Sequence, residues 1–329
     1  CVPLVLLVAL IACVVGVFGD DALSGASQIA LLTASAVCVG IGLSTRRITW
    51  ADFEKAIAEK IAGIGQAVFI LLFIGALGGA WMVSGIVPTL ICYGMEIMHP
   101  QWFLVSSCII CAIVSVMTGS SWTTVATIGV ALMGIGHAMG YHEGWIAGAV
   151  ISGAYFGDKI SPLSDTTVLA SSTVGTPLFE HIRYMMYTTV PTLTVTLLIF
   201  TAKGLTHEAA DVQQIRMVQE ALDGTFLLSP WLLLVPAVTF LLILRRVPAL
   251  AVLFIATLMG VAVAVAVQGS LLDHIAGDAA EGVAQRFRGA MILVYGSTGI
   301  DTGVEELNEL VATRGMAGMM GTIWLILCA

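Results

Sequence analysis

Charged side chains are scarce in this chain, at 10% of its 329 residues, against roughly a quarter in an ordinary soluble domain. With 58% of the sequence hydrophobic, too few charges remain to solvate a globular surface. Basic runs are missing as well, which speaks against nucleic-acid partners. The net charge of −8 sits mostly in connecting segments. Metal-ligand spacing is poorly represented. Of seven cysteines, Cys108 and Cys111 are the only pair separated by two intervening residues, but a tetrahedral zinc site requires four ligands and no second pair follows. They read as small apolar residues one helical turn apart, and no cofactor is expected.

What the chain has in abundance is apolar runs. A hydrocarbon core of about 30 Å takes about 20 helical residues to cross, and candidate spans recur at about 2–18, 27–45, 61–83, 86–98, 102–117, 122–140, 145–157, 182–202, 227–244, 247–267 and from 316 onward. The runs lack the alternation of barrel strands, so helices are expected. The fold class is therefore all-α, a polytopic membrane protein in a lipid bilayer. Its first apolar run starts directly at Cys1 and its last stops about six residues short of a full span, which reads as a chain cut at both ends.

Lys/Arg bias places Arg46-Arg47 to Lys60 in the cytoplasm and the Asp20-Asp21 loop outside. Trp50, Trp81, Trp102, Trp145 and Trp231 fall near span ends, where anchoring at the headgroups is expected. Gly75 to Gly79 and Gly134 to Gly136 read as close helix packing. Residues 269–288 read as an interfacial helix, and 289–315 is left open. The expected organisation is scaffold helices over 1–101, an ion-binding transport region over 102–202, and an incomplete second set of helices over 203–329.

Two stretches interrupt apolar sequence with glycine and hydroxyl residues: Thr118 to Thr124, and Gly157-Asp158-Lys159-Ile160-Ser161-Pro162-Leu163-Ser164-Asp165-Thr166-Thr167. Pro162 lacks an N–H and disfavours helix at Ser161, so an unwound segment is expected around 158–165. Freed carbonyls, hydroxyls and a carboxylate make the oxygen-rich shell that a hard cation prefers. A charge at mid-membrane costs a few to over ten kcal/mol unless paired or wet, so Asp158, Asp165 and Lys159 argue for a use. An interfacial turn with snorkelling charges is the alternative for 157–167, and helix-packing hydroxyls the alternative for 118–124. His137, His142 and Glu143 read as solvated loop residues, as do Glu96 and His99.

The run Gly119-Ser-Ser-Trp-Thr-Thr124, followed by Ala147 through Gly157-Asp158-Lys159-Ile-Ser161-Pro-Leu-Ser164-Asp165-Thr-Thr167, resembles the signature of the NhaC family of sodium/proton antiporters. The resemblance is dense over roughly 115–190 and looser, by hydropathy, elsewhere. It implies the inverted-repeat ion-transporter type of fold, in which each repeat contributes a re-entrant hairpin and a broken helix. Residues 118–124 would be a hairpin tip facing the broken helix at 158–167 across one cation site, with the second repeat's counterpart not visible here. The implied activity is exchange of sodium for protons across the bacterial cytoplasmic (inner) membrane, without enzymatic chemistry and with a homodimer as a candidate assembly. Ser120, Ser121, Thr123, Ser161, Ser164, Asp165, Thr166 and Thr167 would surround the ion, with Asp165, Ser161 and Ser120 as sodium ligands. Asp158 or Asp165 would exchange the proton and Lys159 would serve as counter-ion. The rivals are a malate- or lactate-type organic acid antiporter, an intramembrane aspartyl protease using the Phe156-Gly157-Asp158 run, and a purely structural membrane subunit.

Overall fold

The structure is a computed structural model that describes residues 2–23, 25–45, 48–162, 164–206, 212–245, 247–277, 282–303, 308 and 311–328; the side chains of Thr118, Thr123 and Asp165 lie outside the described part. All regular elements among the described residues are helical. Five helices are long and apolar enough to cross a membrane, or six if a bent pair near 217–243 counts as one, which makes this an all-α polytopic integral membrane protein. Arg46 and Arg47, which entered the orientation argument, lie outside the described residues.

The chain divides into two units, Cys1–Leu72 with Met316–Ala329, and Phe73–Gly315. In the first, α1 (Val2–Phe18) and α2 (Ala26–Ser44) pack as neighbours, and α3 (Trp50–Val83) starts earlier than hydropathy indicates. The charged residues 50–60, expected in a loop, are helical because the chain caps itself there. The Thr49 hydroxyl donates to Asp52 at 2.7 Å, the Thr49 N–H donates to the same carboxylate at 2.9 Å, and the Asp52 N–H donates back to Thr49 Oγ1 at 3.3 Å. This is a reciprocal capping pair. These charges stand ahead of the apolar, membrane-crossing part of α3.

The second unit carries the site. Its elements begin with α4 (Ile86–Ile97), α5 (Phe103–Thr118), α6 (Ser121–Thr124), a π-helical turn at Val125–Gly129 and α7 (Val130–Ala138). They continue with α8 (Glu143–Ile160), α9 (Asp165–Val174), α10 (Leu178–Leu205) and α11 (Val212–Thr225). After these come α12 (Leu234–Leu244), α13 (Ala249–Val267), α14 (Gly269–Ala276) and α15 (Val283–Tyr295). The stretch 269–288, expected as one interfacial helix, is broken between α14 and α15, where Gly277 and Gly282 take φ values of 65° and 61°. Trp81 also departs from expectation. It is buried at 3% exposure, donating its indole N–H to Ala256 O at 3.1 Å, so it ties α3 to α13 rather than anchoring at an interface.

Helices α5 and α8 make backbone contact. A Cβ on Gly153 would strike the carbonyl of Cys108, and one on Gly157 would meet Ala112 O and Ser115 Cβ. Ser115 Oγ donates to Ala154 O at 2.5 Å, and Ser161 Oγ donates to Val116 O at 2.7 Å. These partners advance in step along both helices, so α5 and α8 run parallel and end at the same level. Helix α7 runs back between those levels. Its Gly136 lies against Phe103 and Ile146 near the starts of α5 and α8, and Gly129 lies against Val150 further along. Residues 103–138 therefore form a helical hairpin, whose tip is Gly119-Ser120. Gly119 takes φ 66°, a left-handed turn that glycine adopts without strain.

Two outcomes follow. Gly153→Val and Gly157→Val should each lower the melting temperature in detergent by about 3 °C or more, as overpacking against backbone costs about 1–3 kcal/mol. Gly148→Ala, whose Cβ would reach only Phe200 at 4.0 Å, should leave it unchanged. At the start of α3, hydrogen bonds from Thr49 hold the Asp52 carboxyl below its ordinary value of 3.8. The cap is therefore intact above that ordinary value and is lost as pH falls through the depressed one. Protection of the amides of residues 52–55, taken relative to their intrinsic exchange rates at each pH, should fall in acid, and Asp52→Ala should remove that change in protection.

Candidate ion-binding site

Because α5 and α8 end at one level, the hairpin tip and the interruption after α8 meet. Helix α8 stops at Ile160, where Ser161 turns extended with φ −75° and ψ 127°, the conformation a following proline favours. Helix α9 restarts at Asp165, so the helix is interrupted between Ile160 and Asp165. Its polar backbone is held locally. Ser161 N–H donates to Gly157 O at 3.0 Å and Ser164 N–H to Ser161 O at 3.3 Å. The Thr167 hydroxyl lies 3.2 Å from Asp158 O and 3.1 Å from Lys159 O, bridging the end of α8 to the first turn of α9. With Ser161 fastened to Val116 O, the interruption is tied to α5 as well.

The half-buried carboxylate of Asp158 is the meeting point. Ser121, from the hairpin side, donates to Oδ2 at 3.0 Å. Ser164, from the interruption, donates to Oδ1 at 2.7 Å and lies 2.8 Å from the hydroxyl of Thr166. Ser121 and Ser164 are buried, at 5% and 0% exposure, so they approach the carboxylate from within the protein. A carboxylate offers about four lone-pair positions and each hydroxyl keeps lone pairs after donating. The cluster therefore presents an all-oxygen surface to a cation, and the same carboxylate can take a proton instead.

The structure thus brings together Asp158, Ser121, Ser164 and Thr166, and places Ser161 and Thr167 where they secure the break. Ser120 sits at the hairpin tip, its carbonyl accepting from Thr124 Oγ1 at 3.0 Å. The side chains expected of Thr123 and Asp165 lie outside the described part. Lys159, expected as the counter-ion, is exposed and lines a groove toward α10, with no ion pair among the described residues. Successive residues of a helix project about 100° apart, and Asp158 already faces the hairpin. Among the described residues there is no grouping of three His, Cys, Asp or Glu that could hold a metal. His142 instead caps α8, its Nδ1 accepting from Gly144 N–H at 3.1 Å.

Two contributors escaped the sequence reading. The π-helical turn at Val125–Gly129 follows directly on Ser121–Thr124, and such turns concentrate at functional positions. Only the crowding of small residues, from Gly119 to Gly129, hints at it in the sequence. Ser115 is the other, since a serine in an apolar run gives no sign of which carbonyl it will reach.

Comparisons with known proteins identify the family. The model of the Na+/H+ antiporter family matches residues 1–174 and 153–329. The Na+/H+ antiporter NhaC of Alkalihalophilus pseudofirmus is 41% identical over 283 residues, 86% of this chain and 58% of that protein. The malate-2H+/Na+-lactate antiporter of Bacillus subtilis is 36% identical over 302 residues, 91% of this chain and 61% of the relative. The arginine/ornithine antiporter ArcD of Halobacterium salinarum is 34% identical over 283 residues, 84% of this chain and 54% of the relative. The chain thus spans between 54% and 61% of the length of these three relatives. No solved structure matches it. A family match that runs the length of the chain, on a helical membrane fold with an oxygen-lined carboxylate at a helix break, shows that the chain belongs to the Na+/H+ antiporter family.

Proposed function

We propose that the protein is a secondary transporter of the bacterial cytoplasmic membrane that exchanges sodium for protons, with Asp158 as the group that alternates between them. The observation that carries this reading is the Asp158 carboxylate receiving Ser121 at 3.0 Å from the hairpin and Ser164 at 2.7 Å from the break. Sodium requires the charged carboxylate and the lone pairs of the hydroxyls around it, while a proton neutralises the carboxylate and removes the cation's main attraction. One site that holds either species but not both couples their movements. Ser120, Thr123, Ser161, Asp165 and Thr166 stand on the same two segments as further oxygen donors, and Thr167 keeps the segments in register. Movement of the hairpin and broken helix relative to the other helices would present the site to each side in turn.

An organic acid-coupled exchange is the second reading. It is favoured by Lys159, a cation facing a polar groove rather than the carboxylate of Asp158, and by the printed activity of the malate/lactate relative.

In proteoliposomes containing the full-length protein, a sodium gradient should drive proton movement that Asp158→Asn abolishes; undiminished flux in that variant would remove the assignment. Ser121→Ala and Ser164→Ala each delete one hydrogen bond to a charged group, a loss of about 1.5–3 kcal/mol. Each should therefore raise the half-saturating sodium concentration about tenfold or more.

A further inference from the structure

A groove of about 310 Å³ lies between α8 and α10, within the 300–1,000 Å³ range of small-molecule sites. Its α8 wall carries Ser152, Tyr155 and Lys159, at spacings of three and four residues that put them on one helix face. None of the three has a hydrogen bond or ion pair among the described residues. This wall therefore offers free donors: two hydroxyls and an ammonium. Its α10 wall carries Thr188, Thr189, Thr192 and Thr196, and their protons are already engaged. Thr188 and Thr189 donate to Met185 O at 3.0 and 2.5 Å, Thr192 to Thr188 O at 2.7 Å, and Thr196 to Thr192 O at 2.9 Å. What these threonines present to the groove is lone pairs.

The two walls thus have opposite chemistry. One is positively charged and donates; the other accepts. No Asp or Glu lines the groove among the described residues, so its field favours an anion over a second cation. Depth adds to this. Helix α10 runs from Leu178 to Leu205, which sets Thr188 to Thr196 on the order of 15 Å from either end of the helix. A lysine at that depth is costly unless water or an anion meets it.

We propose that this groove binds a small carboxylic acid bearing a hydrogen-bond donor on the carbon next to the carboxylate, a hydroxy acid or an amino acid. The carboxylate lies against Lys159, Tyr155 and Ser152, and the neighbouring hydroxyl or ammonium donates to the threonine oxygens of α10. The inference deepens the organic acid reading and is independent of whether Asp158 carries sodium. Because Lys159 directly follows Asp158, occupancy of the groove and of the Asp158 cluster share the last turn of α8.

The test is isothermal titration of the full-length protein in detergent and sodium-free buffer, so that its result does not depend on the cation reading. The probes are L-lactate, L-alanine and propionate, which share a carboxylate and differ in the adjacent hydroxyl, ammonium or hydrogen. Saturable binding of lactate or alanine is expected, with propionate at least about tenfold weaker; which of the two binds identifies the donor. Lys159→Met should abolish binding and Lys159→Arg should retain it. Thr192→Val should weaken it roughly three- to tenfold, with melting curves verifying that each variant is folded. The proposal is overturned if neither lactate nor alanine binds, if propionate binds as well as the better of them, or if Lys159→Met binds with unchanged affinity.

Discussion

The backbone contact between α5 and α8 is the constraint on which the site depends. Gly153 and Gly157 let the two helices approach until only hydrogen fits between α8 and the carbonyls of Cys108 and Ala112. Parallel direction and fixed register then bring both helix ends to one depth. Without that shared level, the turn at Gly119 and the break at Ser161 would be two unrelated interruptions. With it, Ser121 and Ser164 reach one carboxylate from opposite segments.

Interrupted helices inside a membrane leave polar backbone that lipid cannot satisfy. Here serines and threonines meet that demand. Ser115 and Ser161 bond carbonyls across the α5–α8 contact, and Thr167 bridges α8 to α9. These bonds hold the frame, which leaves Ser121, Ser164 and Thr166 to surround Asp158. The π-helical turn after Thr124 supplies a further change of pitch beside the site. The frame and the cluster therefore use the same residue types for different purposes, separable only by which atoms they face.

Much of this was legible in the sequence. Apolar runs announced the helices, and Pro162 with its hydroxyl neighbours announced an unwound segment around 158–165, where α8 stops at Ile160 and α9 restarts at Asp165. The conjunction of 118–124 with 157–167 was reachable through the family resemblance, since nothing local says that segments some forty residues apart will touch. Other features needed coordinates. Residues 50–60 read as a loop from their charge, yet the Thr49–Asp52 cap and the bond from Trp50 Nε1 to Glu54 at 2.8 Å support a helix. The direction Lys159 takes, toward a groove at α10, also needed coordinates. The groove at α10 was hidden because threonines that bond their own helix look, in sequence, like any others.

The account rests on one carboxylate that holds either a proton or a cation. The most direct measurement is proton release into unbuffered solution when sodium is added to the detergent-purified protein, compared between wild type and Asp158→Asn. The account predicts saturable release from the wild type and none from the variant. Release of equal size from both, or none from the wild type across the pH range where it transports, would contradict it.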